Sequence, residues 1–69
     1  MKKVLNYSVT YINNEGENKE EFYSNKLGMI TRYVNMLSGK FNVSLLSAKV
    51  NYVNCGTEDI TQKINKFVM

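Results

Sequence analysis

Three patterns place this chain in the α+β class: an apolar/polar alternation near its start, a glycine-closed amphipathic helix signature in its middle, and a β-branched and aromatic run after that. Together they predict a single domain over residues 1–69. Its core is a ββαβ unit with antiparallel sheet order 2-1-3 packed on one helix. A short C-terminal helix follows or, alternatively, a fourth strand.

In "VLNYSVTYI", residues 4–12, Leu5, Tyr7, Val9 and Tyr11 alternate with Asn6, Ser8 and Thr10, the period of a strand with one buried face. "NNEGEN" then turns the chain, because Gly16 can take a positive φ and asparagine tolerates turn conformations. A two-residue loop of Glu15 and Gly16 sets Phe22 opposite Val9, whereas a three-residue loop sets Tyr23 across from Tyr7. The first register is preferred: it buries Phe22 and leaves Glu21 on the wet face, with Glu20 on the inner face near the sheet edge.

Residues 26–38 read as a helix, with Ser24 or Asn25 as N-cap, Gly39 at the left-handed position past its end and Lys40 complementing the carbonyl terminus. "FNVSLLSAKVNYVN", residues 41–54, reads as a long third strand in which Leu46, Ala48, Val50 and Tyr52 alternate with Ser47, Lys49 and Asn51. "CGTED" turns the chain again. Ile60, Ile64 and Phe67 have helical spacing, with Thr57 as cap and Glu58 and Asp59 in the first turn, although "DITQKI" also suits a strand. A right-handed crossover puts the third strand beside the first. One sheet face then shows Asn6, Ser8, Thr10, Ser47, Lys49 and Asn51 to solvent.

Composition narrows the function classes. Cys55 is the only cysteine and there is no histidine, so an intrachain disulfide, a closed Cys/His zinc site and Ser/His/Asp catalysis are all excluded. Cys55 lacks the base a nucleophilic thiol needs, and no Gly-rich phosphate loop is present. Neither a catalytic residue nor a metal or cofactor site is expected, and the chain reads as a non-enzyme. No stretch approaches the roughly 18 apolar residues of a membrane span. A soluble, cytoplasmic protein is the expectation. Nine Lys or Arg against six Asp or Glu give +3, with a single Arg among the nine. Glu15, Glu17, Glu20 and Glu21 cluster around the hairpin, as suits a charged edge strand that resists aggregation.

The helix carries more apolar surface than one sheet requires. Leu27, Ile30, Val34 and Leu37 fall within an arc of about 80° at 100° per residue, and are assigned to the sheet. Met29, Tyr33 and Met36 form a second cluster about 100° away. Two readings fit that cluster. It packs beneath the C-terminal segment, where Ile60, Ile64 and Phe67 need partners, or it is a contact surface, for which adaptable Met and interface-favoured Tyr are suited. Lys26, Arg32, Lys40 and Lys49 are the residues a nucleic-acid reader would use. The open sheet face assigned above has no aromatic residue for base stacking.

The ββαβ pattern, ten asparagines and eight lysines, and "DIT" after a glycine turn within "TEDITQKI" resemble small accessory proteins of phages and mobile elements in low-GC Gram-positive bacteria. That resemblance implies binding and blocking of a host component, including defence systems such as CRISPR nucleases. It implies no particular site residue. The function expected is therefore protein binding through Met29, Tyr33 and Met36, with a host protein or a second copy as partner. The alternative is a nucleic-acid-binding accessory protein.

Overall fold

The computed structural model describes residues 2–39 and 41–68. Strands β1 (Val4–Ile12), β2 (Asn18–Tyr23), β3 (Ser44–Tyr52) and β4 (Gly56–Asp59) form one antiparallel sheet in the order β2-β1-β3-β4. Helices α1 (Lys26–Leu37) and α2 (Thr61–Val68) pack on one face of it. The α+β class and the 2-1-3 core order agree with the sequence, and both a fourth strand and a C-terminal helix are present.

The first hairpin takes the three-residue loop instead of the preferred two-residue one. Tyr7 pairs with Tyr23 and Val9 with Glu21. Asn13 decides this. Its side-chain oxygen accepts from the backbone N–H of Glu15 and of Glu17, both at 2.9 Å, while Gly16, at φ 81°, donates to the Asn13 carbonyl. A type I turn followed by a left-handed glycine is the usual three-residue hairpin. The one-residue shift turns Phe22 and Glu20 to the open face and Glu21 to the helix face, reversing all three assignments.

Asn25 is the N-cap of α1, accepting from the Gly28 N–H at 2.7 Å, and Gly39 closes the helix end at φ 85°. The predicted role of Lys40 lies outside the described residues. What differs is the rotation of the helix. Met29, Tyr33 and Met36 are its buried residues, packed in the core with Val9 and Ala48, whereas Leu27 is 75% exposed and Val34 and Leu37 also face solvent. Of the stripe assigned to the sheet, only Ile30 packs against the core.

Steric fit and polar pairing account for that rotation. Val9 and Ala48 are paired across β1 and β3 and both are fully buried. Such small floor residues leave space for long side chains above them. Tyr33 can be buried because its hydroxyl donates to Asn65 Oδ1 at 2.7 Å. Arg32, about 65° round the helix from the buried face, is turned toward β2, where it meets Glu21. Had the Leu27 stripe faced the sheet, Arg32 would have pointed about 180° away from it.

The segment after β3 does not simply turn. Gly56–Asp59 pairs with β3 from Lys49↔Asp59 to Tyr52↔Gly56, so Thr57 and Glu58 lie in a strand and do not cap the last helix. The pairing satisfies the outer edge of β3, which would otherwise be left open. α2 begins at Thr61, whose N–H is accepted by the Asp59 side chain at 2.9 Å. The Ile60 N–H donates to the Ala48 carbonyl and the Thr61 hydroxyl accepts from the Ala48 N–H, each at 2.9 Å, which pins the start of α2 to β3.

This packing predicts a sharp contrast between neighbouring positions on α1. Met29→Ala should cost about 2–5 kcal/mol of unfolding free energy. Leu27→Ala should stay within about 0.5 kcal/mol. Urea denaturation followed by circular dichroism checks both.

Candidate functional site

Met29, Tyr33 and Met36 are not a contact surface: all three belong to the core. The exchange of stripes leaves a different part of α1 uncovered. Leu27, Val34 and Leu37 run along its outer flank in one stripe with Ile30, and Ile30 lines a groove between α1 and α2.

The groove has a volume of about 340 Å³. Tyr7 and Val50, paired on β1 and β3, lie at its floor. Ile30 of α1, Ile60 just before α2 and Ile64 within it line its sides, together with Val4 and Phe67. Phe67 is 86% exposed, an unusual position for so large an apolar side chain. The β-bulge between Val4 and Asn6 accommodates Leu5 as an extra residue, so Val4, opposite Tyr52, falls on the same face as Tyr7.

Basic groups ring this apolar lining. Lys26 and Lys63 line the groove, and Lys2 Nζ stands 5.0 Å from the centre of the Tyr52 ring, which lines it as well. Glu58 is the acidic residue of the lining, and both its oxygens are occupied: Tyr52 donates to one at 2.9 Å and Lys63 to the other at 3.0 Å. Those two donors hold its carboxyl below the usual range, Lys63 contributing most, while the bond to Glu58 raises the Tyr52 hydroxyl. Among the described residues, Lys26 forms no ion pair.

The four residues proposed for nucleic acid do not converge. Lys26 is at the groove, Lys49 lies on the opposite sheet face across from Asp59, and Lys40 is outside the described residues. Arg32 is committed elsewhere. Its Nε donates to Glu21 Oε1 at 2.9 Å and its Nη2 to Oε2 at 3.3 Å, with the guanidinium 5.0 Å from the Phe41 ring centre. Tyr11 and Tyr23 also donate to Glu21, at 2.6 and 2.7 Å. Arg32 first, then the two tyrosines, bring the Glu21 carboxyl down to about 2, outweighing its partial burial; burial and Glu21 push Tyr23 up to about 12.

The open sheet face is largely self-satisfied. Thr10 bonds Ser47, and Asn51 donates to Asn6 at 2.7 Å and accepts from Thr57 at 2.7 Å. Ser8, expected in solvent, is fully buried between its cross-strand neighbours Phe22 and Lys49. Phe22 does place one exposed aromatic on this face, which the other register would have hidden. Cys55 is exposed in the β3–β4 turn. Among the described residues, no three His, Cys, Asp or Glu side chains gather as a metal site would require, and no helix is long and apolar enough to cross a membrane.

No family model, curated protein or solved structure matches this chain.

The Glu21 cluster predicts an acid-sensitive fold. Because the folded carboxyl titrates at about 2 and its ordinary value is 4.5, its contribution is complete above 4.5 and is lost as pH falls toward 2. Denaturant midpoints measured across that window should fall for the native sequence and fall less steeply for Glu21→Gln, which starts from a lower midpoint at neutral pH.

Proposed function

We propose that this chain is a small non-enzymatic protein-binding module that seats its partner in the α1/α2 groove and along the outer flank of α1. It acts by covering the partner surface it holds. The observation that carries this reading is the apolar surface that folding leaves uncovered: Phe67 stands exposed in the lining of the groove, and Ile30, which lines it from α1, belongs to the same helix stripe as the exposed Leu27, Val34 and Leu37. Single exposed apolar residues are ordinary, but a contiguous strip rimmed by polar groups is the mark of an interaction surface.

Two further features support the reading. The groove is lined mainly by aliphatic and aromatic side chains, which exclude water from a contact without adding a reactive group. The resemblance to phage and mobile-element accessory proteins also favours a host protein as partner and steric occlusion as the mechanism.

Photocrosslinking tests the proposal. A benzophenone amino acid placed at position 27 or 67 should give discrete protein adducts in extract of the native host cell, while the same group at position 49, on the opposite sheet face, should not. Absence of adducts from 27 and 67, or equal yield from all three positions, contradicts it. Leu27→Asp and Phe67→Asp should each reduce capture of the crosslinked partner by about tenfold or more without shifting the thermal midpoint by more than a few degrees, since both side chains stand in solvent.

A further inference from the structure

We infer that the occupant of the α1/α2 groove is an acidic amphipathic helix of another protein, an inference that rests on the protein-binding reading above. Shape comes first. The uncovered strip on α1 runs from Leu27 to Leu37, about 15 Å of helix, and continues into the groove at Ile30. A small ligand is normally enclosed over most of its surface, whereas this trough is open beside the exposed Phe67. An elongated occupant fits it better.

Backbone chemistry then separates helix from strand. An added strand binds through a free sheet edge, which supplies unpaired N–H and C=O groups. At the groove floor Tyr7 is paired with both Tyr23 and Val50, and Val50 with both Tyr7 and Glu58, so the floor itself presents no free ladder. A segment lying there finds side chains and no backbone partners. A helix satisfies its own backbone and needs only an apolar face, with anchors at i, i+3 or i+4, and i+7.

Charge selects among helices. Lys63 and Glu58 neutralise one another at the groove, which leaves Lys26 in its lining and Lys2 beside Tyr52 as the excess charge. The first turn of α1 contains no acidic residue, so the positive end of its dipole adds to Lys26. Carboxylates flanking the apolar anchors of the occupant would meet this rim, and lysines would be repelled. A second copy of this chain is disfavoured on the same ground: it carries +3 and, docked groove to groove, would bring its own Lys26 and Lys2 toward their equivalents.

Two synthetic helical peptides of about 14 residues, roughly four turns, test this. They share a leucine face and differ only in bearing Glu or Lys at the remaining positions. Titrated into the isotope-labelled protein, the Glu peptide should shift amide resonances of residues 26–30 and 60–67 and bind about tenfold more tightly than the Lys peptide. The double variant Lys26→Glu, Lys63→Glu should lose or invert that preference. Equal binding of both peptides in the groove overturns the charge assignment and leaves the groove reading standing. If neither peptide perturbs those residues, or if the Glu peptide shifts the open sheet face instead, both fall. Concentration-dependent dimerisation shifting the same resonances would assign the groove to a second copy and overturn the inference.

Discussion

The packing of Met29, Tyr33 and Met36 against a floor of small residues, Val9 and Ala48, determines how α1 is rotated, and much else follows from that rotation. It swings Arg32 over the edge of the sheet to Glu21 and presents the Tyr33 hydroxyl to Asn65 of α2. It also leaves Leu27, Val34 and Leu37 outside. The candidate binding surface is therefore what remains uncovered once the core is complete. A chain of this length buries only about 60% of its unfolded surface, so apolar side chains beyond the needs of one small core are expected to remain outside.

Tyrosine makes that small core workable. Four of the five tyrosines place their rings against the sheet or helices and send their hydroxyls to a polar acceptor: Tyr11 and Tyr23 to Glu21, Tyr33 to Asn65, Tyr52 to Glu58. Each adds apolar area without leaving a buried hydroxyl unpaired, and no buried side-chain polar atom among the described residues lacks a partner. The same device shapes the groove. The bond from Tyr52 and the ion pair with Lys63 occupy the carboxylate of Glu58, leaving the positive charge of Lys26 and Lys2 dominant around the apolar lining.

Elements with strong periodicity or clear punctuation were legible in the sequence: β1, the span and caps of α1, β3, and the helical end. The relations between elements were less so. The hairpin register turned on Asn13, whose side chain organises a three-residue loop that leaves Phe22 on the surface; hydrophobic patterning alone preferred to bury it. The helix carries two apolar stripes of similar strength, and patterning cannot choose between them. The choice rests on contacts with residues far away in the chain, Glu21, Ala48 and Asn65. Of the two readings of Met29, Tyr33 and Met36, packing beneath the C-terminal segment holds and a contact surface does not, while the stripe assigned to the sheet faces outward and reaches the groove at Ile30. The fourth strand lies at "GTED" and not over "DITQKI", because it is held mainly by backbone pairing with β3 and has no apolar alternation to mark it.

Methyl nuclear Overhauser spectroscopy on the folded protein tests the rotation of α1 most directly. Cross-peaks from the Met29 and Met36 methyl groups to the methyl groups of Val9 and Ala48, with none from Leu27, are the result this packing requires. Cross-peaks from Leu27 and Val34 to Ala48, with the methionine methyls exposed to solvent, would contradict it and remove the groove's apolar flank.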